Sequence, residues 1–532
     1  MRGTTSPKGD WLVPAVLAAL ATALVVLSIE PFPVGVFQDD GIYTVLAKSL
    51  ASGQGYRYLQ LPDAPHATHY PPFYPLLLAG LWKLFPSFPA NVTLFKFVNA
   101  GFIGLTAVLA WRFARRQVGM GPWTAALSVG AFAAGTPMVF LGVMVLSEPM
   151  FLAALFPVLM VCERAARGGT AREALGAGAA GGLLAMIRTL GAVAIPATAL
   201  VLVWRRQWKA AVLVCLGGGL VMLPWQLWIA AHDGAIDPLF AGKFGSYGGW
   251  LGEGIRSGGP LFLAQLAWFN VRLLVDQSWE TLALLTTPGS VRWFGTIAAT
   301  AFGIGGWWLL LRRAPVAAWF VVMYMALVIA WPFAPTRFTY AIWPLLGLQF
   351  GLSVEALVRW RPRARSAVAI RYVAAGTAMF LVIGYARFNH LGYALGWWTK
   401  LQEPVAERAR YLAGWVSTYT PEDALIAAED DLLIYLYTER RAIPLGTFTP
   451  HDHLKAQTEE FTSEVLRRIL GSYDVDYVLT STNMGGYAAR GLLRADPPEL
   501  KLIGVLKRGA IFQPSMEEPR RVSLHPAASS HQ

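Results

Sequence analysis

Runs of about 20 apolar residues recur along this chain, separated by short blocks of arginine and lysine. A helix needs about 20 apolar residues to cross the hydrocarbon of a bilayer, and inside lipid every backbone polar group has to be satisfied within the spanning element itself. Runs of this size lie near 11–30, 93–114, 122–141, 149–165, 172–188, 190–205, 209–230, 291–312, 315–333, 341–359 and 367–388. The expected fold class is therefore an α-helical polytopic membrane protein with about 11 transmembrane helices. Composition agrees, because 14% of the residues are charged, whereas soluble proteins carry about 25%. The first run, Trp11 to Ile29, lacks a small-residue cleavage site and reads as a retained helix. Cys162 and Cys215 both fall inside apolar runs, which argues against a disulfide framework and a cysteine-based metal site.

The net charge of +12 invites a nucleic-acid partner, but its distribution argues for none. Arg112/Arg115/Arg116, Arg164/Arg167/Arg172, Arg205/Arg206/Lys209, Arg312/Arg313 and Arg359/Arg361/Arg363/Arg365 all fall between spans on one side, joined by Arg2 and Lys8. The positive-inside rule assigns that side, and the N-terminus, to the cytoplasm of a bacterial-type inner membrane. The other side then carries loop 31–92, turns at Ser147–Glu148 and Arg188, a Gly-rich loop over 231–290, a turn at 334–340 and everything after about 389. Chemistry outside the cytoplasm follows, and Walker and dinucleotide glycine patterns are absent.

From about residue 400 the pattern changes. Ala424–Ala428 and Val475–Leu479 read as strands, Leu502–Val505 and Ala510–Phe512 as a hairpin, and His453–Leu470 as a helix. The expected organisation is a membrane domain over 1–388 with a functional first external loop 31–92, an external α/β domain over 389–516, and a disordered tail over 517–532.

Two adjacent carboxylates, Asp39 and Asp40, open a helical pattern that runs to Ser52-Gly53. Acids suit the positive end of a helix, yet a cap needs one side chain and adjacent like charges repel, so one of them can serve as a general base instead. His66 and His69 precede the rigid Tyr70-Pro71-Pro72 turn as potential metal or phosphate partners, or as plain surface histidines. Arg188 and Arg337 fall at external helix ends, where arginine matches phosphate geometry or snorkels to the interface. Glu148 before Pro149 suits a helix start as well as a site. Asn91-Val92-Thr93 is formally a glycosylation acceptor, and Glu429-Asp430-Asp431 and His451-Asp452-His453 are acidic and histidine clusters with a cation-binding or a solvated reading. The stretch Gly242–Trp250 reads as a connector or a closing loop.

Asp39-Asp40-x-x-Tyr43 after the first span, Gly55-Tyr56, His69-Tyr70-Pro71-Pro72, Ser147-Glu148-Pro149, Arg188, Thr336-Arg337 and an external α/β domain with Asp430-Asp431 follow one another in order. This succession resembles the GT-C glycosyltransferases that use polyprenyl-phosphate sugars: the dolichyl-phosphate-mannose, aminoarabinose and galacturonic acid transferases. The resemblance implies inverting transfer of a sugar from a polyprenyl-phosphate donor to a lipid, glycan or protein acceptor, with or without a divalent cation. It maps the catalytic acid to Asp39, with Asp40 in a position that is often Glu, and Glu148 to a second acid that orients the acceptor or a metal. Donor-phosphate contacts fall to Arg188 and Arg337, and to His69 and Tyr70 where some relatives carry lysine. Asp39, Glu148 and His66 are then the metal candidates. The rival classes are a transporter or flippase for a lipid-linked glycan, and a non-catalytic membrane assembly protein. Transporters place ionisable groups at mid-membrane and show paired repeats with broken helices, whereas here the acids lie at helix ends and loops.

Overall fold

The computed structural model describes residues 11–35, 37–282 and 289–515. It divides into two compact units. The first runs up to Glu407 and includes Phe448–Ala456; the second comprises Arg408–Thr447 and the chain from Gln457 on.

The first unit is helical throughout. α1 (Leu12–Leu27) is followed by α2 (Asp39–Ala51), α3 (Phe73–Leu84), α4 (Ala90–Arg112), α5 (Pro122–Ala133), α6 (Thr136–Gly142), α7 (Glu148–Ala166) and α8 (Ala171–Ile187). Then come α9 (Ala194–Trp204), α10 (Trp208–His232), the short α11 (Ala241–Phe244), α12 (Tyr247–Gly258), α13 (Pro260–Leu282), α14 (Gly289–Arg313) and α15 (Pro315–Ile329). α16 (Pro335–Tyr340), α17 (Trp343–Arg359), α18 (Arg365–Leu395) and α19 (Trp397–Tyr419) complete the series. Each expected apolar run is helical, α5 and α6 sharing one across a 54° bend. Among the described residues five helices are long and apolar enough to cross a membrane, seven if each of two bent pairs counts as one span. The remaining runs include apolar helices of 17 residues or fewer, such as α1 and α15.

Two expectations change. The segment 231–290 is not a loop, since it contains α12 and the 23-residue α13. Gln265, Asn270, Arg272 and Asp276 interrupt the apolar sequence of α13 and hide it from a search for apolar runs. Asn270 explains itself in the fold: its amide donates to the carbonyls of Val328, Ile329 and Trp331 at the end of α15. The domain boundary expected at 388 lies inside α18, and the compact units separate at Glu407/Arg408, within α19. The apolar run stops near 388, but the helical pattern continues through amphipathic residues. The tail over 517–532 and the basic residues Arg2 and Lys8 lie outside the described residues.

The basic blocks gather at one end of the helices. Arg313 donates to the Val118 carbonyl, Arg167 to that of Arg313, and Arg205 to that of Ala166. Arg359 pairs with Glu355, whose carboxylate also accepts from Gly121 N–H. Glu163 of α7, fully buried, reaches across to accept the Ala317 N–H and so caps the first turn of α15.

Small residues let α8 and α10 approach closely. A Cβ on Gly178 would lie 1.9 Å from the Val214 carbonyl oxygen, and one on Gly217 would lie 2.2 Å from that of Leu175. Gly178→Leu is expected to force the helices apart and cost about 1–3 kcal/mol through overpacking. Gly176→Leu, pointing into open space, is the tolerated control, and thermal unfolding in detergent compares the two.

The second unit carries a five-stranded sheet in the order β2-β1-β3-β5-β4. β1 (Leu425–Ala428), β2 (Arg441–Pro444) and β3 (Tyr477–Thr480) are parallel, with Ile426 opposite Tyr477. β4 (Leu500–Leu506) and β5 (Gly509–Pro514) form the expected antiparallel hairpin, and β5 joins it to β3 in an antiparallel pair. Helices α20 (Asp431–Thr438), α21 (Glu459–Ser472) and α22 (Asn483–Leu493) complete this α/β unit. The acidic cluster after β1 is consumed internally. Glu429 accepts from the backbone N–H groups of Ser481, Thr482 and Gly485 at the start of α22, and Asp430 receives a bidentate pair from Arg408.

Candidate active site

The site assembles at the helix ends opposite the basic blocks. Its first component is the start of α2, where Asp39 is the first helical residue and Gln38 provides no side-chain cap. α2 ends at Ala51 with Ser52 as its C-cap, after which Gly53 turns the chain with φ +76°, a conformation glycine adopts without strain.

The adjacent acids separate. Asp40 is buried, with its carboxylate turned back into the preceding turn to accept from the N–H groups of Gly35, Phe37 and Gly41 at 2.9–3.0 Å. Burial pushes this carboxyl up to about 7, against the three N–H donors and with the Asp39 charge adding to the rise. Asp40 is thus committed to holding the turn. Asp39 points the other way. One oxygen accepts from the Tyr70 hydroxyl at 2.6 Å, and the other is paired with the Arg337 guanidinium. Burial raises the Asp39 carboxyl, but Arg337, the Tyr70 hydroxyl and Arg188 outweigh it and hold the group below the usual carboxylate range.

Arg337, on the six-residue α16, bridges two acids. Its Nε donates to Glu148 Oε1 at 2.6 Å while its Nη2 holds Asp39. Glu148 is fully buried in the first turn of α7, and its other oxygen lies 2.9 Å from Arg188 Nη1. Arg188 follows the last turn of α8, also donates to the Ser147 hydroxyl, and stacks over Phe338 with 5.7 Å to the ring centre. The sequence Asp39–Arg337–Glu148–Arg188 therefore alternates in sign, two carboxylates with two guanidiniums. Four segments far apart in sequence contribute one charge each.

Aromatic side chains wall this chain of charges. Tyr43, one turn after Asp39 on α2, meets the Ser147 hydroxyl at 2.8 Å and packs edge-on against Tyr70 and Tyr74. His69 is buried, with Nδ1 2.5 Å from the Gly245 carbonyl and its ring 3.8 Å from that of Tyr247. A carbonyl only accepts, so Nδ1 carries the proton. Burial pushes the His69 imidazole down to about 4, so it is neutral at physiological pH. Of the residues the sequence suggests for a donor phosphate, Arg188 and Arg337 therefore carry charge, while Tyr70 is a hydrogen-bond donor already on Asp39 and His69 anchors the 245–247 segment. Tyr43 and Ser147, present in the sequence motifs but assigned no role there, and Tyr247, from the Gly242–Trp250 stretch, also join the site; the i,i+4 spacing of Asp39 and Tyr43 is the local signal for the first.

The carboxylates Asp39 and Glu148 are joined by a guanidinium. His66 packs instead against Trp228 and His232, with ring centres 5.2 and 4.2 Å away. Among the described residues no group of three His, Cys, Asp or Glu side chains is arranged to hold a metal ion. The other histidine cluster is structural as well: His451 meets Ser257, Asp452 closes a capping box with Thr449, and His453 meets Asn270. Asn91 of the formal glycosylation sequence is buried in the first turn of α4.

One face of α4 holds the scaffold. Lys96 donates to the carbonyls of Glu30 and Phe32, fixing the segment that leads to Asp39. Asn99, one turn on, donates to the carbonyls of Met144 and Leu146 before Glu148 and exchanges hydrogen bonds with Tyr74. Asn99→Leu is expected to strand these buried acceptors at about 1–3 kcal/mol each and to lower activity without altering any charged residue. Thermal unfolding together with turnover measures both effects.

A helical membrane unit followed by an α/β unit is a fold shared with solved structures. Two solved structures of ArnT from Cupriavidus metallidurans share this fold over 95% of this chain and 98% of theirs. The form bound to undecaprenyl phosphate aligns with a TM-score of 0.55 at 14% identity, and the apo form with 0.53 at 15%. The mycobacterial arabinofuranosyltransferase AftD aligns with a TM-score of 0.40 at 16% identity, over 40% of its length. No protein-family model and no curated protein sequence matches the chain.

Proposed function

We propose that this protein is an integral-membrane glycosyltransferase that moves a sugar from a polyprenyl-phosphate donor to an extracytoplasmic lipid, glycan or protein acceptor. The observation that carries this reading is the Asp39–Arg337–Glu148–Arg188 cluster at the end of the bundle opposite the basic blocks. Its location follows from the positive-inside rule: the basic end faces the cytoplasm of the inner membrane and the cluster faces outward.

The chemistry needs a base and a cation. Asp39 takes the proton of the acceptor hydroxyl as its oxygen attacks the anomeric carbon from the face opposite the phosphate. The bond between that carbon and the phosphate oxygen breaks, the configuration inverts, and polyprenyl phosphate departs with the bonding pair. Arg337 and Arg188 meet the charge that develops on the leaving phosphate, in surroundings where preorganised cations count for more than in water. Tyr70 keeps Asp39 in place, and Glu148 keeps the two arginines together. No step is routed through a divalent ion, because Arg337 itself joins the two acids.

The transporter reading is weaker for a physical reason. The buried ionisable residues Lys96 and Glu163 lie within spanning helices, yet each satisfies backbone groups near a helix end. Purified protein in nanodiscs, supplied with polyprenyl-phosphate sugars and an envelope extract, should release polyprenyl phosphate. Failure with every donor tried, alongside movement of the lipid-linked sugar across a vesicle bilayer, would overturn the enzyme reading.

A further inference from the structure

We propose that the donor's phosphate switches on the base: it draws Arg337 away from Asp39, so the donor binds before the acceptor can be deprotonated. This rests on the function proposed above and adds to it an obligatory order.

Both oxygens of Asp39 are engaged, one by Tyr70 and one by Arg337. A carboxylate paired with a guanidinium is a poor acceptor for a hydroxyl proton, since the proton must displace a charge-assisted hydrogen bond. In the state described here Asp39 is thus in position but masked. What unmasks it has to compete for Arg337, and Glu148 cannot: it already holds Arg337 through Oε1, and its Oε2 lies in ion-pair contact with Arg188. The cluster is balanced, two negative charges against two positive, so an arriving phosphate finds no spare cation there. It gains one only by displacing a carboxylate. Asp39 is the one available for displacement, because its side chain is 21% exposed while that of Glu148 is wholly buried. Arg337 is also the more accessible arginine, at 23% against 10% for Arg188.

Once Arg337 turns to the phosphate, Asp39 retains the Tyr70 hydroxyl and stays in place. It then loses its main counter-charge in a buried setting, so its affinity for a proton rises. The other groups that act on it are Arg188, His69, Tyr43, Tyr247 and the neighbouring Asp40, and none of them replaces the direct Arg337 contact. Tyr70 is accordingly a positioning residue. The same logic keeps the donor-free enzyme from acting on the acceptor.

Infrared difference spectroscopy on the full chain in nanodiscs tests this, with undecaprenyl phosphate as the probe and Asp39→Asn to identify the Asp39 carboxylate band. Binding is measured in parallel with radiolabelled undecaprenyl phosphate. The expected result is that the probe moves half-protonation of Asp39 to a proton concentration about tenfold lower, and that Arg337→Gln titrates there without the probe. Asp39→Asn, in which Arg337 has lost its competitor, should bind the probe more tightly than the unaltered protein. Binding without any change at Asp39 would overturn the proposal, as would weaker binding by Asp39→Asn. Absence of binding to every form would instead remove the function on which the proposal rests.

Discussion

Asparagine in place of Asp39 is expected to lower sugar transfer by about 10²–10⁴-fold, the range a positioned acid or base contributes. Its cost in thermal stability should be smaller than that of alanine at Glu148, because the Asp39 side chain is partly exposed and that of Glu148 is wholly buried. The amide keeps an acceptor for the Tyr70 hydroxyl but can neither take a proton nor supply the negative charge that pairs with Arg337. The neighbouring position should behave in the opposite way. Alanine at Asp40 removes the acceptor for three buried N–H groups, those of Gly35, Phe37 and Gly41. Each stranded donor costs about 1–3 kcal/mol, so this variant should lose stability first and activity as a consequence. Turnover with a polyprenyl-phosphate sugar and thermal unfolding in detergent, measured on both variants, separate the roles. An inactive but stable Asp40 variant beside an active Asp39 variant would exchange them.

The second large effect is expected at Glu148. Alanine there leaves the two guanidiniums facing each other with no carboxylate between them and Asp39, beyond Arg337, as the one that remains; breaking a buried pair in this way costs about 3–5 kcal/mol. Glutamine preserves the shape and part of the hydrogen bonding, so Glu148→Gln should unfold at a temperature between those of the alanine variant and the unaltered chain. Equal unfolding midpoints for all three would mean that Glu148 does not hold the arginines together.

The architecture was legible because lipid imposes a simple rule. Runs of sufficient length become helices, and the blocks of arginine between them gather at one end, as Arg167, Arg205 and Arg313 do. α13 escaped because Asn270 and its polar neighbours serve partners that only the folded chain supplies. β2 escaped because Arg441-Ala442-Ile443-Pro444 sets only two apolar residues between an arginine and a proline, and α22 because its buried face is built largely of small residues, Gly485, Ala488 and Ala489.

The residues that meet in the candidate cluster were legible by type and by the helix ends they share, but their pairings were not. Nothing local distinguishes Asp39 from Asp40; the outcome depends on the N–H groups of Gly35, Phe37 and Gly41, which the Asp40 carboxylate satisfies, and on an arginine 298 positions away from Asp39. His69 illustrates the converse. Its place beside Tyr70-Pro71-Pro72 suggests a phosphate ligand, yet burial against Tyr247 and the Gly245 carbonyl makes it a neutral anchor.

The proposed mechanism has Asp39 act on a sugar carried by polyprenyl phosphate. Its most direct test is a chase of radiolabelled sugar from the polyprenyl-phosphate pool into envelope lipids, glycans and proteins, in membranes with the unaltered chain or with Asp39→Asn. Label should leave the polyprenyl pool and appear in an acceptor fraction in the first case and remain on polyprenyl phosphate in the second. Equal transfer in both membranes would contradict the claim.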